Sequence, residues 1–255
     1  MYILDPDLLG YLCHRLGDAP IESRQPRVHR KALELNEPEP NFAATFGDAE
    51  VTAYVGFIDL AGFSNATSGK SPAEIAAYVV PFLQATIRIL RERQALVDKT
   101  IGDEIMFVLP ETEEEGRFAP EVLFLGQICG ALHDLAYQPN SPYQFRLGLS
   151  YGKVRATRIE GQGYSEWTFF GEPIHVAKRL HSLPELAAPN PVSGAFGMSV
   201  PAGKGDAIFS TLEARLGIVA GFASRFSYQL APAPVNMKGV GEVWYAIMHP
   251  KGHAA

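Results

Sequence analysis

The sequence predicts an α+β sandwich of ferredoxin-like type, with helices covering a mainly antiparallel sheet. Three observations point to it. The run VTAYVGFIDL, from Val51, is β-branched and aromatic, as a buried strand requires. Ser71-Pro72-Ala73-Glu74 then supplies an N-cap, a proline at the first helical position and a glutamate at the third, which opens a helix. Next, two apolar runs, QALVDK and EIMFVL, flank a tight turn at Ile101-Gly102-Asp103. A second helix and further strands complete a β-α-β-β-α-β order, the pattern of helices laid over an antiparallel sheet.

Taken in chain order, residues 1–46 stand apart. Leu8, Leu9, Leu12 and Leu16 share one face of a short helix, and 19–46 is a proline-punctuated arm carrying Arg24, Arg27, His29, Arg30 and Lys31. Residues 47–255 form one expected domain. The helix from Ser71 runs to about Arg93, with a kink expected at Pro81. Residues 112–137 start acidic and become apolar at helical spacing, which suits the helix dipole. The stretch 143–170 alternates like two paired strands joined at Gly161-Gln162-Gly163, and a helix follows from Glu172 to about His181. Residues 184–232 carry no clear pattern beyond one helix expected near 210–218, and PVNMKGVGEVWYAIM reads as a closing hairpin.

Composition narrows the class. The chain has 255 residues, 47% of them hydrophobic and 20% charged, which excludes wholesale disorder. A formal net charge of −6 argues against broad nucleic-acid binding. Asp5 and Asp7 stand early with no basic region before them, so neither a signal peptide nor a membrane span is expected. Cys13 and Cys129 are too few for a disulfide framework, and a cytoplasmic location is the expectation.

The chemistry starts with Asp59 and Asp103. Asp59 ends an apolar strand, where a carboxylate is costly unless compensated; Asp103 sits in a hairpin turn. Brought together by neighbouring strands, two such groups form a hard-oxygen site for Mg²⁺ or Mn²⁺. Taken singly, each is an ordinary turn or strand-end residue. The words around them carry more: Phe57-Ile58-Asp59-Leu60-Ala61-Gly62-Phe63-Ser64, Lys99-Thr100-Ile101-Gly102-Asp103-Glu104-Ile105-Met106, Arg146-Leu147-Gly148-Leu149-Ser150-Tyr151-Gly152, and the segment from Phe170 through His175 to Leu180.

In that order and spacing the four segments resemble the catalytic domain of class III nucleotidyl cyclases, over roughly residues 50–248. The resemblance implies the family's sandwich fold and attack of a ribose 3′-oxygen on the α-phosphate, with release of pyrophosphate. It implies two divalent ions per site, held by Asp59, Asp103 and the backbone carbonyl of Leu60. Lys99 and Thr168 fall at the two base-contacting positions, Arg179 at the arginine that stabilises charge on the α-phosphate, and Lys238 at the lysine gripping the terminal phosphates. Arg and Lys suit those roles as a fork and a point charge. The resemblance further implies a homodimer, in which the Asp pair of one subunit faces the base-binding and arginine residues of the other.

Two positions depart from the family pattern. His175 stands where the family carries an asparagine that orients the ribose, and it has a donor with which to substitute. Tyr54, in the strand leading to Asp59, either narrows the base pocket, where Phe57 is also a candidate, or packs the core. Lys99 disfavours guanine but does not separate ATP from UTP, because adenine and uracil both present acceptors. Tyr54, His175 and the lack of room for a large regulatory domain pull the expectation toward UTP. They also point to the bacterial anti-phage pyrimidine cyclases, whose cyclic nucleotide serves a downstream effector. An adenylate cyclase is the alternative. An inactive nucleotide-binding domain is the other, and the presence of Asp59, Asp103 and Arg179 speaks against it.

Overall fold

The structure, a computed structural model, describes residues 50–111, 120–136, 141–162, 164–183, 207–211, 226–231 and 233–250. The expected N-terminal helix, the arm and the boundary at residue 46 lie outside these.

Strand β1 (Glu50–Leu60) is the long apolar run read from the sequence, and it lies inside the sheet, paired along both edges over Ala53–Ile58. A short helix α1 (Phe63–Thr67) leads to α2 (Pro72–Glu92). The expected capping box is present: Glu74 N–H donates to Ser71 Oγ at 3.4 Å, and Ser71 N–H donates to Glu74 Oε2 at 2.8 Å. The helix runs on through Pro81 as one element. Pro81 and Ala77, whose carbonyl loses its partner there, are both exposed, so water can take that bond.

Strands β2 (Leu96–Ile101) and β3 (Glu104–Pro110), helix α3 (Pro120–Ala136), strands β4 (Phe145–Gly161) and β5 (Tyr164–Phe170) and helix α4 (Glu172–His181) follow in the expected order. Beyond α4 the expectations change. The helix expected near 210–218 meets strand β6 (Ala207–Thr211), which joins β4 in parallel; the rest of that stretch lies outside the described residues. The closing hairpin is also divided. After β7 (Phe226–Leu230), β8 (Val235–Met237) and β9 (Gly241–Val243) pair with each other, whereas β10 (Tyr245–Pro250) enters the main sheet between β6 and β7. Among the described residues that sheet runs β2-β3-β1-β4-β6-β10-β7, with β5 paired to β4. All its pairings but β4–β6 are antiparallel.

The two-residue period of β1 divides the core. Tyr54, Ile58 and Leu60 face one side, where Phe82 and Leu90 of α2 and Leu125, Ile128 and Leu132 of α3 cover them. Ala53, Val55 and Phe57 face the other, with Met106, Val108 and Ala177 of α4. A third cluster ties the β8–β9 hairpin to α4 through Val176, Leu180 and Met237. By length and composition α2 could cross a membrane, a feature the sequence reading did not anticipate; its inner face, with Val79, Phe82, Ile89 and Leu90, is buried.

Helix α4 lies close on the sheet because β4 carries Gly148 beneath it. A Cβ at Gly148 would stand 2.2 Å from the Ala177 carbonyl oxygen and 2.5 Å from the His181 nitrogen. Both are backbone atoms and cannot swing aside. Gly148→Ala is therefore expected to destabilise the protein by about 3 kcal/mol, by forcing α4 off the sheet. Urea unfolding of the variant should show a lowered midpoint at an unchanged m-value; an unchanged midpoint would contradict this packing.

Candidate active site

Asp59 stands near the end of β1 on the α4 face and is only 7% exposed. The register of β1 on β4 sets Arg146 directly opposite it. The guanidinium meets the carboxylate as a fork: Nε donates to Oδ1 at 3.0 Å and Nη2 donates to Oδ2 at 2.5 Å. His181 Nε2 lies 3.5 Å from the same Oδ2. Burial pushes the Asp59 carboxyl above its ordinary range, and the nearby charge of Asp103 adds to the rise; Arg146 and His181 oppose it.

Asp103 reaches this place through strand geometry. The described β1–β3 pairs end at Ile58 opposite Ile105, and the Leu60 N–H beyond them donates to Asp103 Oδ2 at 3.2 Å. The turn before it needs Gly102, whose φ of 63° lies in the left-handed region. Burial raises the Asp103 carboxyl too, against the pull of the Leu60 N–H. Next in chain, Glu104 accepts a hydrogen bond from Lys178 and lies 3.1 Å from His181 Nε2. Burial alone would raise Glu104, but these partners outweigh it and hold its carboxyl below the ordinary range. Phe57 packs in the same cluster, with Lys178 Nζ 5.4 Å from its ring centroid and the His181 ring 6.1 Å away.

The Asp59–Asp103 pair fits a hard divalent cation. Both are oxygen donors, they sit close enough to perturb each other, and the Leu60 backbone lies between them. Among the described residues no group of three or more His, Cys, Asp or Glu side chains forms a closed cage. Mg²⁺ suits such a place, since it commonly takes one or two carboxylates and completes its shell with water and phosphate oxygens.

The two expected base-contacting residues also meet. Lys99 Nζ donates to Thr168 Oγ1 at 2.8 Å, across 69 positions of sequence. A bulge in β2 aims the lysine: Val97 pairs with Phe107 and Lys99 with Met106, so Asp98 is the extra residue. Thr168 comes from β5, where it is buried opposite Thr157 of β4.

His175 and Arg179 are four apart on α4, on one side of it; His175 is exposed and Arg179 half-buried. His181 is two positions beyond Arg179, about 200° around the helix, so α4 shows Asp59 one side and keeps Arg179 on the other. Lys238 is exposed in the turn after β8, whose Met237 is anchored among α4 residues. Tyr54 does not join these groups. It lies on the opposite face from Asp59, 4% exposed and against Tyr151 with ring centroids 4.8 Å apart. Of the two roles considered for it, the structure supports core packing, because a residue five positions before Asp59 on a strand must face the other way.

Sequence reasoning passed over Arg146, Glu104, Lys178, His181 and Asp98. Arg146 had a signal, an arginine opening an otherwise apolar strand; the others required the register and the placing of α4.

The family described as Adenylate and Guanylate cyclase catalytic domain matches residues 48–187. A Mycobacterium tuberculosis protein described as uncharacterized is 29% identical over 158 residues, 60% of this chain and 36% of its own. An adenylate cyclase of Streptomyces coelicolor is 27% identical over 129 residues, 51% of this chain and 29% of its own. The chain thus spans about a third of the length of these relatives. In structure, the guanylate cyclase domain of RhGC from Catenaria anguillulae, solved with GTP, superposes with a TM-score of 0.58 at 16% identity, covering 79% of this chain and 98% of that one. Matched over more than half its length to that family, the chain belongs to the adenylate and guanylate cyclase catalytic domains.

Proposed function

We propose that this chain is a nucleotidyl cyclase, which converts a nucleoside triphosphate to a 3′,5′-cyclic nucleotide and pyrophosphate at a site shared by two copies of itself. The observation that carries this is the Lys99–Thr168 hydrogen bond. The two residues expected to contact a base come from distant strands and meet at 2.8 Å, on the same sheet that brings Asp59 and Asp103 together.

In this reading Asp59, Asp103 and the Leu60 carbonyl hold two Mg²⁺ or Mn²⁺ ions. When bound, such ions help ionise the attacking hydroxyl and neutralise the triphosphate. The side chains do the rest. Lys99 donates to an acceptor on the base, and Thr168, accepting from Lys99, keeps its own hydroxyl proton for the base. His175 donates to the ribose in place of the usual asparagine. Arg179 meets charge developing on the α-phosphate as the 3′-oxygen attacks, and Lys238 holds the leaving pyrophosphate. Much of the acceleration is positioning plus fixed charge.

The two faces of α4 support a shared site. Asp59 packs against the side bearing His181, whereas half-buried Arg179 and exposed His175 stand on the other, away from the acids of their own copy. Mixing an Asp59→Ala variant with an Arg179→Ala variant, each inactive alone, should restore about a quarter of the wild-type activity for random pairing in symmetric dimers. Absence of rescue in a mixture shown to contain mixed dimers would sink the shared site.

For the base, ATP is the substrate we propose. Lys99 with Thr168 is the pairing expected of adenylate cyclases, and a relative carries that description. The pyrimidine reading, with UTP as substrate and a role in anti-phage signalling through an effector, drew in part on Tyr54, which faces away from Asp59 into the core. His175 remains its specific support. Incubation with each of the four nucleoside triphosphates and Mn²⁺, followed by chromatography, should give cyclic AMP as the main product. Cyclic UMP as the main product would reverse the assignment; no cyclic product from any of the four would overturn the proposed activity. A cytoplasmic protein is the setting in which this reading places it.

A further inference from the structure

Beside the Lys99–Thr168 pair lies a carboxylate to which nothing above gives a task. Asp98 is the bulged residue of β2, and its side chain is 0% exposed. Neither of its oxygens has a hydrogen-bond partner among the described residues. What it has is charge: Oδ2 stands 3.1 Å from Lys99 Nζ as an ion pair. Burying a carboxylate this way is costly, and the nearby Glu166 adds repulsion, so the Asp98 carboxyl is pushed up by burial first and by Glu166 with it; the charge of Lys99 draws it down. Stability alone favours an apolar residue at such a position. The bulge, moreover, is the device that sets Asp98 and Lys99 side by side instead of on opposite faces.

We propose that Asp98 is a positioning residue for base selection, acting through Lys99. An ammonium carries three donors on a flexible stem. With one directed at Thr168 Oγ1 and the charge anchored at Asp98 Oδ2, its freedom falls to a single remaining N–H. Lys99 retains 32% exposure of its side chain, so that donor stays accessible to a ligand while Asp98 is sealed behind it. The site then selects a base with an acceptor at one fixed place and rejects one that offers a donor there, as adenine N1 differs from the protonated N1 of a guanine. The inference rests on the proposed cyclase reading and deepens it.

The test is Asp98→Asn, which keeps the shape and removes the charge, with Asp98→Ser as a second variant, in wild-type and Lys99→Met backgrounds. The readout is the ratio of kcat/KM for ATP to that for 1-deaza-ATP, which lacks the N1 acceptor. In the wild type this ratio should be large, and Asp98→Asn should lower it about 10-fold, from the weakening of one charge-assisted hydrogen bond. In the Lys99→Met background, where that hydrogen bond is already gone, the same change should leave the ratio within about 2-fold, as expected of a residue that works only through its neighbour. The thermal shift with tripolyphosphate and Mn²⁺, which reads the phosphate end alone, should be equal in all variants. An unchanged ratio in both Asp98 variants, or an equal fall in the Lys99→Met background, would overturn the positioning role while leaving the cyclase reading intact. A wild type that turns over neither ATP nor 1-deaza-ATP would overturn this role together with the ATP assignment, and one that forms no cyclic product from any of the four nucleoside triphosphates would overturn the cyclase reading as well.

Discussion

Asp59 is a carboxylate held almost out of water at the end of a strand whose neighbours are apolar, and the register of β1 on β4 is what makes that tolerable. One pairing sets the Arg146 guanidinium opposite Asp59; two residues back, the same ladder sets Gly148 opposite Phe57. The first supplies the charge that a buried carboxylate needs. The second removes the side chain that would hold α4 away, which lets His181 approach the same carboxylate. A slip of one residue would send Asp59 to the α2–α3 face and put a Cβ under α4. The acidic site and the docking of α4 therefore depend on a single alignment.

The charged groups around Asp59 are coupled. Asp59, Asp103 and Glu104 bring three carboxylates to one strand end, and Arg146, Lys178 and His181 answer them from β4 and α4. Burial raises the carboxyls while the partners lower them, and the balance differs: Asp59 and Asp103 end above their ordinary range and Glu104 below it. Glu104 is the one committed to the Lys178 ammonium as an ion pair, with the His181 ring beside it. The two carboxyls that burial leaves raised are the ones with most to gain from a divalent cation, which fits their place in the proposed reaction.

The site was legible in sequence where short words impose local geometry. The capping box at Ser71, the Gly102 turn and the strand leading to Asp59 each depend on neighbours within a few residues, and each forms as read. Lys99 and Thr168 were named separately and meet across the sheet. Where the reading departed from the structure, local pattern carried too little information. The helix expected near 210–218 meets a strand at Ser210 and Thr211, because β4 offers an edge there and draws Ala207–Thr211 in as a parallel strand. The expected last hairpin divides because β10 gains two partners, β6 and β7, by leaving β9. Tyr54 could be placed only by counting strand parity from Asp59.

By itself the sequence determined the order of elements, the helix starts and turns, and which residues could bind a metal, a base or a phosphate. These follow from side-chain chemistry and from spacing along a strand or helix, both contained in a few consecutive residues. The tertiary structure decided which of those residues meet. It matched Arg146 to Asp59, turned Tyr54 inward, placed Arg179 on the side of α4 away from Asp59, and seated Asp98 against Lys99 through a one-residue bulge. Each is a matter of strand register or helix rotation, which long-range packing sets and no short stretch of sequence contains.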